Sequence, residues 1–238
     1  MTQDAPRRRS AGFLVGLSLT AVLLVAGFVS LGLWQVHRLA WKRDLIHKVE
    51  TRIHALPIPA PRTAQPNDVY LRVTASGTFL NDKATLVQAV TDRGAGFWVM
   101  TPLATTDGFT LMINRGFVPA GNRDRYARPA GRAKVAGLLR LSEPGGGFLR
   151  ANDPAAHRWY SRDVAAMAAA QHVPSPIANY FVDAEAGASS DALPIGGLTV
   201  LNFPNSHLSY ALTWFALAAM TAGAYMFLMR YEWQQRRA

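Results

Sequence analysis

The stretch Asn205-Ser206-His207-Leu208-Ser209-Tyr210-Ala211-Leu212-Thr213-Trp214-Phe215 stands where a turn-rich, strand-like segment gives way to an apolar run that ends at Arg230. Leu208 to Met229 contains no Asp, Glu, Lys or Arg, and its length suffices to cross about 30 Å of hydrocarbon as a helix. His207 therefore falls at the mouth of a predicted membrane helix. A titratable imidazole at that depth is a candidate ligand or pH-sensitive group. At helical spacing it shares one stripe with Tyr210, Trp214, Thr221 and Tyr225. The same residues also suit an interfacial belt, where rings sit half wet and half dry, with Asn205 or Ser206 as the helix N-cap. The residues alone leave both readings open.

A second apolar run, Phe13 to Trp34, is equally free of charge and follows Arg7, Arg8 and Arg9. It is too long for a signal-peptide core and no small-x-small cleavage pattern precedes Trp34, so it reads as an uncleaved anchor. The formal net charge of +10 is distributed as topology requires. No Lys or Arg occurs between Asp163 and Met229, whereas Arg230, Arg236 and Arg237 follow the second run. Positive charge thus brackets apolar segments instead of forming one basic face with stacking aromatics, which argues for a membrane and against nucleic acid. The predicted organisation is a cytoplasmic tail 1–12, a transmembrane helix 13–34, an extracytoplasmic domain 35–206, a second transmembrane helix 207–229 and a cytoplasmic tail 230–238. Opposite crossings place Trp34, Gln35, His37, Arg38, Trp41 and Lys42 in the same leaflet as His207, Tyr210 and Trp214. Gly12, Gly16 and Thr20 on one helix, and Ala211, Ala218 and Ala222 on the other, are the predicted small-residue contact faces.

The middle of the chain is β-rich. Trp34 to Val49 is expected to continue as helix, and Leu56 to Pro66, with four prolines, as an extended linker. Strands are predicted at Val69–Val73, Gly77–Leu80, Thr85–Ala89, Phe97–Leu103, Phe109–Ile113, Val135–Leu141 and Tyr180–Val182, and Thr199–Phe203 returns the chain to the membrane. Asp163 is placed as N-cap of an Ala-rich helix over Val164–Gln171, stopped before Pro174, and Gly187 to Asp191 as a loop. The fold class is therefore membrane α+β: two transmembrane helices flanking a barrel- or sandwich-like β domain with one short helix.

With no cysteine, disulfides, thiolate metal sites and thiol catalysis are excluded. There is no Gly-x-Ser-x-Gly, no His-Glu-x-x-His, no histidine pair at metal spacing and no phosphate-cradling glycine loop. The composition gives no sign of an enzyme. His54, His157 and His172 are expected to be surface or packing residues, and Arg115 to form a surface ion pair.

Four motifs occur in a fixed order. They are Leu31-Gly-Leu-Trp-Gln-Val-His-Arg38 with Trp41-Lys42, Asn114-Arg-Gly-Phe-Val-Pro119, Asn152-Asp-Pro154 with Arg158-Trp-Tyr160 and Asp163, and Asn205-x-His-Leu-x-Tyr-Ala-x-Thr-Trp-Phe215. In that order between two membrane helices, the chain resembles the surfeit-locus-1 family of cytochrome c oxidase assembly proteins over nearly its whole length. The resemblance implies a non-enzymatic assembly factor acting on subunit I of a haem-copper oxidase, with haem A synthase as a further partner, and in bacterial members a binder of haem a. It implies that His207 is the histidine associated with the haem; as a neutral imidazole it is expected to ligate the iron, with Tyr210 and Trp214 against the porphyrin and Arg38 or Lys42 toward the propionates. The alternative is a membrane-anchored scaffold that stabilises oxidase intermediates without haem. A tail of about a dozen residues containing Asp4 does not resemble a mitochondrial presequence. The expected location is a bacterial inner membrane, or the mitochondrial inner membrane if eukaryotic.

Overall fold

The computed structural model describes residues 9–187, 192–199, 203 and 205–237. The chain divides into two units: a helical pair drawn from its two ends, and a β unit within residues 49–201.

Two long helices make the first unit. α1 runs Ala11–His54 and α3 runs His207–Arg237, and both are long and apolar enough to cross a membrane. α1 passes Trp34 without a break, as the absence of Gly and Pro from Trp34 to Val49 predicts. Its 44 residues correspond to about 66 Å of helix, more than a bilayer core needs. Large apolar side chains stand bare along both helices, Leu23 on α1 being 72% and Phe227 on α3 74% exposed. In water such a surface would be costly; against lipid tails it is the stable one.

The β unit contains β1 (Ile58–Pro59), β2 (Arg72–Phe79), β3 (Thr85–Thr91), β4 (Gly94–Thr105), β5 (Thr110–Pro119), β6 (Arg132–Leu141), β7 (Ile177–Ala184) and the short α2 (Val164–Ala170). Of the two architectures open to the sequence, the structure adopts the barrel. β2 pairs with β6, β6 with β7, β7 with β5, β5 with β4, and β4 returns to β2 through Gly77↔Thr105 and Phe79↔Leu103. Closure leaves no open edge within the five strands β2, β6, β7, β5 and β4, with β1 and β3 as short additions beside them. Gly77 makes the closure possible, because β2 bends there to pair on both sides: a Cβ at this position would lie 2.2 Å from the Ala104 carbonyl oxygen. Within the barrel β5 and β7 are the parallel neighbours.

Alternation along the strands sorts the core into two layers. Val73, Phe79, Leu103, Leu111, Leu139 and Tyr180 fill one cluster. Met100, Met112 and Phe181, from the opposite strand face, pack with Val87, Trp159, Val164 and Met167 in the other, so α2 and the Trp159 segment cover the barrel's outside. The sequence-predicted strands are all found. Two of them, around Val73 and Gly77, are one continuous β2. The return segment Thr199–Phe203 and the loop expected at Gly187–Asp191 fall mostly outside the described residues. Asp163 caps α2, its Oδ1 accepting from Ala166 N at 3.1 Å.

Two ion pairs tie loops to this frame. Arg72 donates to both carboxylate oxygens of Glu185, at 2.6 and 3.1 Å, and this hydrogen bond, with the charge behind it, holds Glu185 below the usual carboxylate range. Arg158, and then the Ala156 N–H, lower Asp153 in the same way. A carboxyl depressed in the folded state contributes stability above its unfolded pKa, about 4, and loses it as pH falls through the lower folded value. The full-length Glu185→Gln/Asp153→Asn variant is therefore expected to show a shallower acid decline of its unfolding midpoint below about pH 4 than the parent. Both pairs face solvent, so the difference is small; parallel acid declines would show that neither pair contributes.

Candidate functional site

α3 opens at His207, whose N–H donates to Asn205 Oδ1 at 3.4 Å while Tyr210 N–H returns to the Ser206 carbonyl. The His207 ring turns toward α1, where its Nδ1 lies 2.7 Å from Gln35 Oε1. An amide oxygen only accepts, so in this contact Nδ1 carries a proton and donates, and Nε2 is the ring nitrogen left to another partner. Gln35 is buried, at 9% exposure, whereas His207 is half-buried. The acceptor is thus fixed by packing while part of the imidazole stays open.

Further contacts run down the pair. Trp214 stacks on Phe28 with centroids 5.8 Å apart. Ser18 Oγ and Tyr225 Oη share a hydrogen bond of 2.7 Å, and Arg9 meets Glu232 at 3.2 Å. Partners descend along α1 as they ascend along α3, so the helices are antiparallel. On α3 the contacts fall at His207, Ala211, Trp214, Ala218 and Tyr225, the three- and four-residue steps of a helix–helix seam. Ala211 and Ala218 are buried as the small-residue reading expects. Gly12 and Gly16 are not part of the seam, since an added Cβ would touch nothing there. Gly32 is: a Cβ on it would lie 2.5 Å from Phe215 Cε1, so a phenylalanine knob fills the space a side chain would take.

The four residues singled out in the sequence are thus placed differently from one another. His207 faces Gln35. Trp214 is half-buried against Phe28. Tyr210 is 55% exposed. Arg38 is exposed, with its guanidinium 4.0 Å above the Trp41 ring on its own helix. The reading of the sequence put Gln35 near His207 without giving it a role. Its signal was a neutral acceptor directly after the apolar run, in register with an imidazole on the returning helix.

The barrel carries a second polar cluster that the sequence did not announce. Asp183, 6% exposed, accepts from Asn114 Nδ2 at 2.8 Å, Thr199 Oγ1 at 3.0 Å and Arg140 at 3.3 Å, with Arg162 Nη1 at 3.5 Å. Arg162 also forks onto Glu143, through Nε at 3.0 Å and Nη2 at 2.5 Å. These groups border a cavity of about 160 Å³. Two arginines face two carboxylates, so the cluster is charge-balanced and satisfied, the pattern of a structural network.

The central motif now has a physical account. Asn114 holds the buried carboxylate, and its Oδ1 accepts from Gly116 N at 3.1 Å. Gly116 has φ of 125°, and a Cβ there would lie 2.2 Å from the Ile195 carbonyl; glycine lets the two backbones pair. Among the described residues Arg115 forms no ion pair. Its guanidinium lies over the Phe79 ring at 5.0 Å and donates to the Ala127 carbonyl at 2.7 Å, and burial lowers its pKa. Among the described residues no group of three His, Cys, Asp or Glu is arranged to hold a metal ion.

Comparison with known proteins places this geometry. A family model described as "SURF1 family" matches residues 22–219. The chain is similar to Surfeit locus protein 1 of Xenopus tropicalis, 34% identical over 225 residues covering 84% of this chain and 71% of the relative. It is similar to the Mus musculus protein of that name at 35% identity, covering 84% and 72%. The Homo sapiens protein is 34% identical, covering 81% and 70%.

Proposed function

The chain belongs to the SURF1 family, and from that premise we propose that it acts in cytochrome c oxidase assembly by holding haem a on His207 for insertion into subunit I. Family membership supports the role in oxidase assembly. The haem reading rests on one observation, the 2.7 Å contact between His207 Nδ1 and Gln35 Oε1. Neutral imidazole with its outer nitrogen protonated and hydrogen-bonded is the form that ligates iron through the other nitrogen, and a second partner fixes its orientation and raises its basicity. The donor set therefore fits the group.

In this reading Nε2 of His207 takes the iron. The exposed Tyr210 and the outer edge of Trp214 flank the ring, and Arg38 pairs with a propionate, a charge-assisted contact. Haem a is cargo here and undergoes no chemistry on the protein. The apolar faces of the helices accept its hydrocarbon tail. The barrel, with its polar network sealed, meets the oxidase or haem A synthase outside the cytoplasm, and no catalytic step is assigned to it.

One observation favours a second reading, the scaffold without haem: the same contact joins α1 to α3 and needs no ligand to be useful. An absorbance spectrum separates the two. Full-length protein purified in detergent from cells that make haem a is expected to show a haem a Soret band in proportion to protein. Colourless protein that still co-purifies with oxidase subunit I would overturn the haem reading and leave the scaffold.

A further inference from the structure

We propose that the groove between the β3–β4 hairpin and the loop before Arg150 is a docking site for the phosphates of an anionic lipid surface. Two loop tips project large apolar side chains into water there: Val90 is 87% exposed, Phe148 91% and Leu149 89%. A scattered apolar residue at a surface is ordinary, but several at the tips around one groove mark an interaction site. Val90, Phe97, Phe148, Arg150 and Tyr160 line the groove, and no carboxylate does.

The tip is presented rigidly. Gly147 and Arg150 exchange backbone hydrogen bonds of 2.8 and 3.1 Å, so Phe148 and Leu149 form the turn of a two-residue hairpin. Leu149 adopts φ of 57°, a conformation that costs a branched side chain free energy. Side chains anchor the hairpin from below. Asn152 Oδ1 accepts from Tyr160 N at 2.8 Å and Ser161 N at 3.2 Å. Ser161 Oγ accepts from Gly146 N at 3.1 Å and Asn152 Nδ2 at 3.0 Å. The motif residues Asn152 and Tyr160 thus serve to hold two apolar side chains out into solvent, an arrangement that lowers free energy only when something apolar receives them.

Charge selects what that is. Arg150 lies over the Tyr160 ring at 5.5 Å and Arg123 over the Phe97 ring at 5.2 Å, so cations stand beside the apolar tips. Asp92 and Arg93 at the hairpin turn offset each other. Apolar tips flanked by arginines match acyl chains beneath phosphate headgroups, with guanidinium–phosphate pairs at the boundary. Lipid is also the partner always at hand for a segment tethered at both ends to apolar helices.

The test uses the absence of native cysteine. A polarity-sensitive fluorophore is attached to full-length Phe148→Cys or Asp107→Cys protein, residue 107 lying at the other end of β4. Each is placed in vesicles of phosphatidylcholine with or without phosphatidylglycerol. With phosphatidylglycerol, the label at 148 is expected to shift to the blue and to be quenched by acyl-chain nitroxides, while that at 107 is not. Arg123→Ser/Arg150→Ser is expected to lower the inserted-to-free ratio about 30-fold, from about 1 kcal/mol for each arginine near an anionic surface. An unchanged unfolding midpoint shows that this variant is folded. A label at 148 as open to aqueous iodide as that at 107 in both vesicles overturns the proposal. So does shielding from iodide without nitroxide quenching, which would indicate a protein contact.

Discussion

Full-length His207→Ala protein, purified from cells making haem a, is expected to lose its haem absorbance entirely, and Gln35→Leu to bind haem a roughly 10- to 100-fold more weakly. The first removes the ligand nitrogen. The second leaves His207 in place but takes away the Gln35 hydrogen bond that fixes its tautomer, so the ring is free to carry its proton on the nitrogen that should bind iron. Gln35→Glu keeps an acceptor at that position and should restore binding. Nitrogen chemical shifts of His207 in haem-free protein read the tautomer directly: a protonated Nδ1 in the parent, a mixture in Gln35→Leu. Haem content unchanged in His207→Ala sinks the ligand assignment. A parent protein with the proton on Nε2 sinks the role of Gln35 alone, whatever the haem result.

Asp183→Ala is expected to destabilise the barrel by about 1 to 3 kcal/mol, because it leaves the half-buried Arg140 without the carboxylate it pairs with and Arg162 with Glu143 alone. Arg140 and Arg162 side chains are only 20% and 16% exposed, so water takes over that role only in part. Asn114 would lose its acceptor as well. Asp183→Asn keeps the shape and some hydrogen bonds but not the charge, and should fall between the parent and Asp183→Ala. Denaturant unfolding of full-length protein in detergent, followed by the near-ultraviolet signal of the buried Trp159, measures the difference. A cost below about 1 kcal/mol for Asp183→Ala would show that the arginines find other partners and that the network is not what holds β5, β6 and β7 together.

The two predictions concern sites of different legibility. His207 stands out in the sequence because an imidazole at the start of a charge-free run is rare and costly there. Asp183 does not, since a single acid within a strand of Asn-Tyr-Phe-Val-Asp looks like any solvent-facing residue. Arg140 and Arg162 are similarly ordinary in isolation. What sets them apart is that three strands and a loop bring them within hydrogen-bonding distance, and no local pattern carries that information.

Apolar runs without charge, the distribution of arginines around them and the turn-bounded strand segments determine, without any coordinates, two long helices flanking a β-rich region. These are one-dimensional signals: helix length and strand alternation depend on neighbours along the chain, whose chemistry is already written there. Tertiary structure alone decided that the sheet closes into a barrel and that Gly32, not Gly12 or Gly16, receives a side chain of the other helix. It also decided that Gln35 is the residue facing His207. Each of these depends on register between segments far apart in the chain, and a shift of one residue would exchange the buried and exposed faces without altering the sequence pattern of either segment.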